Sequence, residues 1–433
     1  MTILEKNNCS FLSNYFMMLL VSILLWLEVY LFQTSFLVPY ALMIIGIINI
    51  VSIYKNYKLL LTPVGLFSLI WLVIIPFCSF EYPLMRAMSV FEWNKVLLLI
   101  IFFSLGGLVS SFCKKKKSKK IQHLSNNTLI INLLVLIISI VSLIALYVNY
   151  GGVPLFAQDA NVAKNMFRSI PFLSFLSYFG NISILIFIIN DDRIIKNKLF
   201  LLLSIIYVFL LILSAERFFV TLLILSIAFV YCKQYIDIKL LKKFMLLVIL
   251  VFSIFMFVLC YRGNEEQKDL YFIQSGIYNG NAKTLVNTEI LRYFGMQERV
   301  ITNTYLYIDP GYTKGSLTFS PFLKIIGKNS VEIPDVQIYG YTSKSIITKT
   351  YADFGHFWGI AIIIFSFIIN TSYYKFSREN SLLSQYMNSV WLIFLLFSFY
   401  AYIDNLIILF LYFPLYVWLI EIINNNNKKE EII

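Results

Sequence analysis

The sequence predicts an all-α polytopic membrane protein with about twelve transmembrane helices. Three observations predict it. Hydrophobic residues make up 59% of the 433-residue chain and charged ones 13%, against roughly 25% charged in ordinary soluble domains, and mean hydropathy is +0.79. The apolar stretches are continuous and not alternating, so they read as helices and not as strands of a barrel. The charged residues collect between those stretches, as they do in loops flanking membrane spans.

A span needs roughly 20 apolar residues. Runs of that kind lie near 11–32, 36–54, 59–80, 96–113, 128–149, 170–189, 199–214, 217–232, 244–260, 353–370, 386–402 and 405–422. The first is too long for the core of a cleaved signal and lacks a small-residue exit, so it reads as a retained helix. Spans seven and eight are one apolar run split at Ser214-Ala215-Glu216-Arg217. Spans eleven and twelve are another, split at Tyr402-Ile403-Asp404-Asn405. The resulting organisation is 1–260 with spans one to nine, a large loop 261–352, and 353–433 with spans ten to twelve and a tail.

Orientation follows from charge. The run Lys114-Lys115-Lys116-Lys117-Ser118-Lys119-Lys120 belongs on the cytoplasmic side. Propagating from it puts both termini inside and the large loop, between spans nine and ten, outside. Inside segments then hold 20 Lys and Arg, and the short outside loops five. The net charge of +12 thus reflects topology and gives no reason to expect nucleic acid as partner. Inside, 18 of the 20 cations are Lys; outside, six of 15 are Arg: Arg86, Arg168, Arg217, Arg262, Arg292 and Arg299. Arg is favoured where phosphate or carboxylate is gripped by two prongs. The asymmetry is either the mark of an anionic ligand at the outer face or an accident of a Lys-rich composition.

Two outer loops carry the candidate chemistry. One runs from Tyr150 through Gly151-Gly152-Val153-Pro154-Leu155-Phe156 to Ser169. Gly-Gly and Pro force a turn there, and Ala160 to Phe167 reads as a short amphipathic helix before Arg168. The other is the 92-residue loop, which holds ten of the 29 tyrosines. Asn281 to Ile308 reads as helix, with Arg292 and Arg299 on one face. Tyrosine-rich surfaces suit sugar stacking and also suit a plain membrane interface. Arg217, at the outer end of span eight, is a costly charge near hydrocarbon; it is either a ligand-binding group or a snorkelling residue paired with Glu216. Arg262 and Arg168 fall in the same layer. His356 follows Asp353 by three positions and shares a face with it if the stretch is helical. It is either a general base or a packed capping residue.

Other chemistry is disfavoured. There are five cysteines with no C-x-x-C pair and two histidines, so neither a disulfide framework nor a metal centre is expected. No P-loop, G-x-G-x-x-G or H-E-x-x-H stretch occurs. No cofactor is expected.

The ordered set Gly151-Gly152-Val153-Pro154-Leu155-Phe156, Ser214-Ala215-Glu216-Arg217, Tyr261-Arg262-Gly263, a long outer loop and Tyr351-Ala352-Asp353-Phe354-Gly355-x-x-x-Gly359 resembles the O-antigen and capsule polysaccharide polymerases of the Wzy type. The resemblance implies a membrane glycosyltransferase in the bacterial cytoplasmic (inner) membrane, joining oligosaccharide repeats carried on undecaprenyl diphosphate. It implies no metal, and leaves room for a chain-length regulator protein as partner. By resemblance to the related O-antigen ligases, Arg217 and Arg262 would bind the diphosphate, with Arg168 in support. His356 would be the base, with Asp353 or Glu266 in reserve, and Arg292 and Arg299 would touch sugar. The alternatives are a ligase proper and a repeat-unit flippase or other transporter.

Overall fold

The computed structural model describes residues 3–57, 61–79, 87–112, 124–157, 160–190, 198–231, 246, 253, 300–328, 331, 345–376, 381–398 and 408–430. Among the described residues, secondary structure is helical and no strand occurs. Among the described residues, seven helices are long and apolar enough to cross a membrane: Leu12–Phe32, Val38–Lys55, Val90–Ser111, Asn126–Tyr150, Pro171–Ile189, Ile346–Tyr374 and Ile408–Asn426. Four shorter apolar helices are Pro63–Cys78, Lys198–Leu213, Phe218–Phe229 and Leu382–Leu396. The chain is thus a helical, multi-pass membrane protein. Expected span nine, 244–260, lies outside the described residues, save for two single positions.

The chain divides into two compact units. One comprises Met1–Lys115, Asp269–Lys375 and Trp391–Phe410, and the other Lys116–Lys268, Phe376–Val390 and Leu411–Ile433. In lipid, helices gain little from apolar burial against each other, so small residues and buried polar bonds hold them together. The first unit shows this on α1 (Ile3–Phe32) and α4 (Val90–Ser111). A Cβ on Gly107 would lie 2.5 Å from the Tyr15 ring, so only Gly admits that approach. The Tyr15 hydroxyl then donates to Asn370 Oδ1 at 2.6 Å, and Ser366 Oγ to the Phe103 carbonyl at 2.6 Å. Phe67 and Phe103 stack with centroids 3.8 Å apart. Helix α4 begins with a capping box, Ser89 bonded to the Glu92 backbone and Glu92 to the Ser89 backbone.

The second unit is built around α5 (Asn126–Tyr150) and α7 (Pro171–Asn190). Asn132 Nδ2 donates to the Ser183 carbonyl at 2.9 Å and Ser183 Oγ returns to the Asn132 carbonyl at 2.7 Å. A Cβ on Gly180 would lie 2.3 Å from the Tyr207 ring. That closeness lets the Tyr207 hydroxyl reach the Ser177 carbonyl at 2.9 Å.

Candidate functional site

The expected split between spans seven and eight is present. Helix α8 (Lys198–Leu213) ends at Ser214-Ala215-Glu216, and α9 (Arg217–Tyr231) follows. Ala215 sits at φ 60°, in left-handed backbone that a non-glycine residue enters at a cost of about 1–2 kcal/mol. It is buried against Leu155, which belongs to the Gly151–Phe156 loop. That loop turns because Gly151 caps α5 at φ 75°, the usual conformation for a terminal glycine. Two stretches singled out in the sequence therefore pack on each other. Together they fix where Glu216 points, at the entrance of α9, where the helix dipole favours negative charge.

Between them lies α6 (Ala160–Phe167), the short helix the sequence suggested. The Phe167 ring is fully buried against Tyr147, centroids 4.7 Å apart, and this anchors the next residue, Arg168. Arg168 Nε donates to Glu216 Oε1 at 3.1 Å and Nη1 to Ser177 Oγ at 2.6 Å. The Tyr178 hydroxyl donates to the same Oε1 at 3.4 Å, and its ring lies 4.4 Å from the guanidinium carbon. Lys164 Nζ is 3.7 Å from Glu216 Oε2. The Arg168 side chain is 11% exposed and that of Glu216 3%, so this is an ion pair taken out of water. Arg168 Nη2 is buried and has no hydrogen-bond partner among the described residues. A buried guanidinium nitrogen with spare donors is unusual and suits an acceptor-rich anion such as phosphate.

One reading of the sequence paired Glu216 with Arg217, whose side chain lies outside what is described. The Glu216 carboxylate is held by Arg168 and Lys164. Arg217 is described as the first residue of α9 in backbone alone. Arg262, Glu266, Arg292 and Arg299 lie outside the described residues. Of the helix expected over 281–308, the described part is α10 (Val300–Tyr307). Sequence reasoning missed Lys164, Ser177 and Tyr178. Their separations from their partners leave no local signal, since Glu216 is 48 residues from Arg168 and 38 from Tyr178.

In the first unit, Asp353 and His356 do not share a helical face. Helix α12 begins at Ile346, earlier than the expected start at 353, and ends at Phe354. Gly355 then turns the chain at φ 57°, ψ −130°, before α13 (Trp358–Phe376). His356 is exposed and Asp353 is buried. The Asp353 carboxylate accepts four hydrogen bonds. Oδ1 takes Thr313 Oγ1 at 2.5 Å and the Leu317 amide at 3.1 Å; Oδ2 takes the Thr318 amide at 2.8 Å and Thr318 Oγ1 at 2.6 Å. The amides of Gly311, Thr313 and Gly315 in turn cap the carbonyls of Tyr351, Ala352 and Asp353 at 3.3, 3.0 and 3.1 Å. A Cβ on Gly355 would meet Pro310 Cβ at 3.0 Å. Tyr351 stacks on Tyr305 with centroids 3.7 Å apart, and a Cβ on Gly359 would lie 2.3 Å from the Phe102 ring. Tyr351, Ala352, Asp353, Gly355 and Gly359 of the Tyr351–Gly359 motif are thus accounted for by packing or backbone bonding. Burial raises the Tyr305 phenol above its usual range, so it stays neutral.

No three His, Cys, Asp or Glu gather as a metal would require among the described residues. Comparison with protein-family models, curated proteins and solved structures gives no match.

Proposed function

We propose that the chain polymerises undecaprenyl-diphosphate-linked oligosaccharide repeats into O-antigen or capsular polysaccharide at the outer face of the bacterial cytoplasmic membrane. One observation carries the reading: Arg168, its side chain 11% exposed, held by Glu216 and Ser177, with a buried Nη2 unclaimed among the described residues. It stands where the Gly151–Phe156 and Ser214–Arg217 motifs pack together, and Arg217 follows its counter-ion directly.

The chemistry follows from charge. The bond between the growing chain's anomeric carbon and the diphosphate oxygen breaks, and the lipid diphosphate leaves with the electron pair. A hydroxyl of the incoming unit attacks that carbon and loses its proton to a base. Preorganised donors stabilise the charge growing on the leaving group; Arg168, Arg217 and Arg262 take that role. His356, exposed at the Gly355 turn, takes the role of base, with Glu266 next. Asp353 is occupied holding the 313–318 segment and leaves the list of bases. Arg292 and Arg299 remain candidates for sugar contact. The bilayer, and a chain-length regulator protein, are the further partners.

A buried ion pair inside a helical bundle also fits a transporter, so the test must separate the two. Arg168→Ala, Arg217→Ala and Arg262→Ala are expected to leave protein in the membrane and abolish long polymer. The acceptor should then be capped by single repeats, because flipping is intact. Loss of a flippase leaves no repeat on the outer side, and loss of a ligase leaves long polymer on its lipid carrier. Normal long-chain polymer from all three variants would refute the site.

A further inference from the structure

We propose that the segment Leu306–Lys328 of the first unit is a membrane-interfacial platform, seated in the headgroup layer of the bilayer that the adjoining helix crosses. The proposal does not depend on the reaction. Six large apolar side chains, Leu306, Tyr307, Phe319, Phe322, Ile326 and Phe357, are 52–73% exposed. Five of the six fall within this one short segment, more than a water-facing stretch carries without a cover. Gly311, Gly315 and Gly327 supply the left-handed turns that fold the segment back on itself.

What covers them is argued from continuity and from charge. The segment is stitched by the Gly311, Thr313 and Gly315 amides to the last carbonyls of α12, which with α13 forms the apolar stretch Ile346–Tyr374. A Cβ at Gly315 would touch the rings of both Phe319 and Phe354, at 3.3 and 3.8 Å, so the patch begins against that stretch. Phe357, Ile360 and Ile364 are exposed at spacings of three and four along it, one face of a helix that lipid must cover. Phe357 tops that lipid-facing stripe, two residues after Gly355, whose Cβ position lies 3.0 Å from Pro310 and 3.1 Å from Gly311 of the segment. Lys314 and Lys328 are exposed at either end of the 315–327 stretch. Aromatic and aliphatic side chains flanked by lysine are the composition of a helix or loop lying in the headgroup region, where the cations meet lipid phosphates.

The test uses the full chain in nanodiscs of phosphatidylcholine with phosphatidylglycerol, carrying single cysteines at 314, 319, 322, 326, 328, 360 and 364 in a cysteine-free background. A nitroxide on each is read by collision with oxygen, which concentrates in lipid, and with nickel-EDDA, which stays in water. Oxygen collisions should dominate at 319, 322 and 326, as at 360 and 364, with a depth of about 5–10 Å below the phosphates. Nickel should dominate at 314 and 328. The unlabelled thiols give an independent reading that no bulky label can disturb. Cysteine at 322 should react with a membrane-impermeant maleimide more slowly than cysteine at 328. Phe322→Asp together with Ile326→Asp should raise nickel access at 319. Nickel dominance at 319, 322 and 326 overturns the proposal, because the surface is then in water. Low access to both probes overturns it equally, because protein then covers the patch. Depth that persists in pure phosphatidylcholine with Lys314→Ala and Lys328→Ala overturns the charge argument.

Discussion

Glu216 is a buried carboxylate with two cations on it among the described residues, and its worth lies in what happens when one leaves. Removing a single partner of a buried pair costs about 3–5 kcal/mol, because the survivor stays charged and out of water. Arg168→Ala should therefore lower the unfolding temperature of the detergent-solubilised protein, with Lys164 offsetting part of the loss. Arg168→Ala combined with Glu216→Ala should be less destabilised than the two single changes added together, by a coupling of about 1–3 kcal/mol. Additive losses would mean the pair is not coupled. Gly355 offers a second residue-scale test. An alanine there suffers both the positive φ and the approach of Pro310. Gly327, at φ 72° with open space around it, suffers the backbone term alone. Gly355→Ala should thus lower the unfolding temperature more than Gly327→Ala, whose cost is about 1–2 kcal/mol; equal losses would discount the Pro310 contact.

At the scale of elements, the turn Ser214–Glu216 is where sequence and structure agree on place, and where the structure adds partners that the sequence did not show. The break was legible because a Ser, a Glu and an Arg interrupt an otherwise uncharged run. The pairing was not, because an ion pair across 48 residues leaves no periodic trace. The same holds for Asp353 and His356. A three-residue offset reads as one helical face only while the helix continues, and the backbone of Gly355 ends it. The capping box Ser89-x-x-Glu92, by contrast, is legible from its spacing alone, because both bonds form within one helical turn. Ala215 gives the element-scale prediction. Glycine there relieves the left-handed strain but adds about 0.5–1 kcal/mol of chain entropy to lose, so Ala215→Gly should be close to neutral in unfolding temperature. Ala215→Val, with a branched carbon at positive φ and against Leu155, should destabilise clearly. A neutral valine would show that the turn is free to rearrange.

At the scale of the whole molecule, helix positions were the most legible feature. Continuous apolar runs in a chain with 13% charge allow few other readings once backbone groups must be satisfied internally. The boundaries were less legible. Helix α12 starts at Ile346, inside what reads as loop, because the polar triplet Thr348-Lys349-Thr350 separates Ile346-Ile347 from Tyr351-Ala352 and breaks the apolar run. Orientation rests on the lysine run at 114–120 and is directly testable. Reporter fusions at Lys117 and Lys196 should report cytoplasm, and fusions at Asn161 and Gly315 the opposite side. An external signal at Lys117 would reverse the map.

The seven hydrogen bonds between residues 311–318 and the end of α12 also bear on traffic. At about 1 kcal/mol net each, lifting this segment away costs about 7 kcal/mol, so the lifted state holds about one molecule in a hundred thousand. A hinge that rare is a poor doorway. Any bulky molecule reaching the adjoining helix must arrive sideways, through the bilayer, or past other stretches of chain. Amide hydrogens of Thr313, Gly315, Leu317 and Thr318 should accordingly exchange with solvent as slowly as those of the helix they cap.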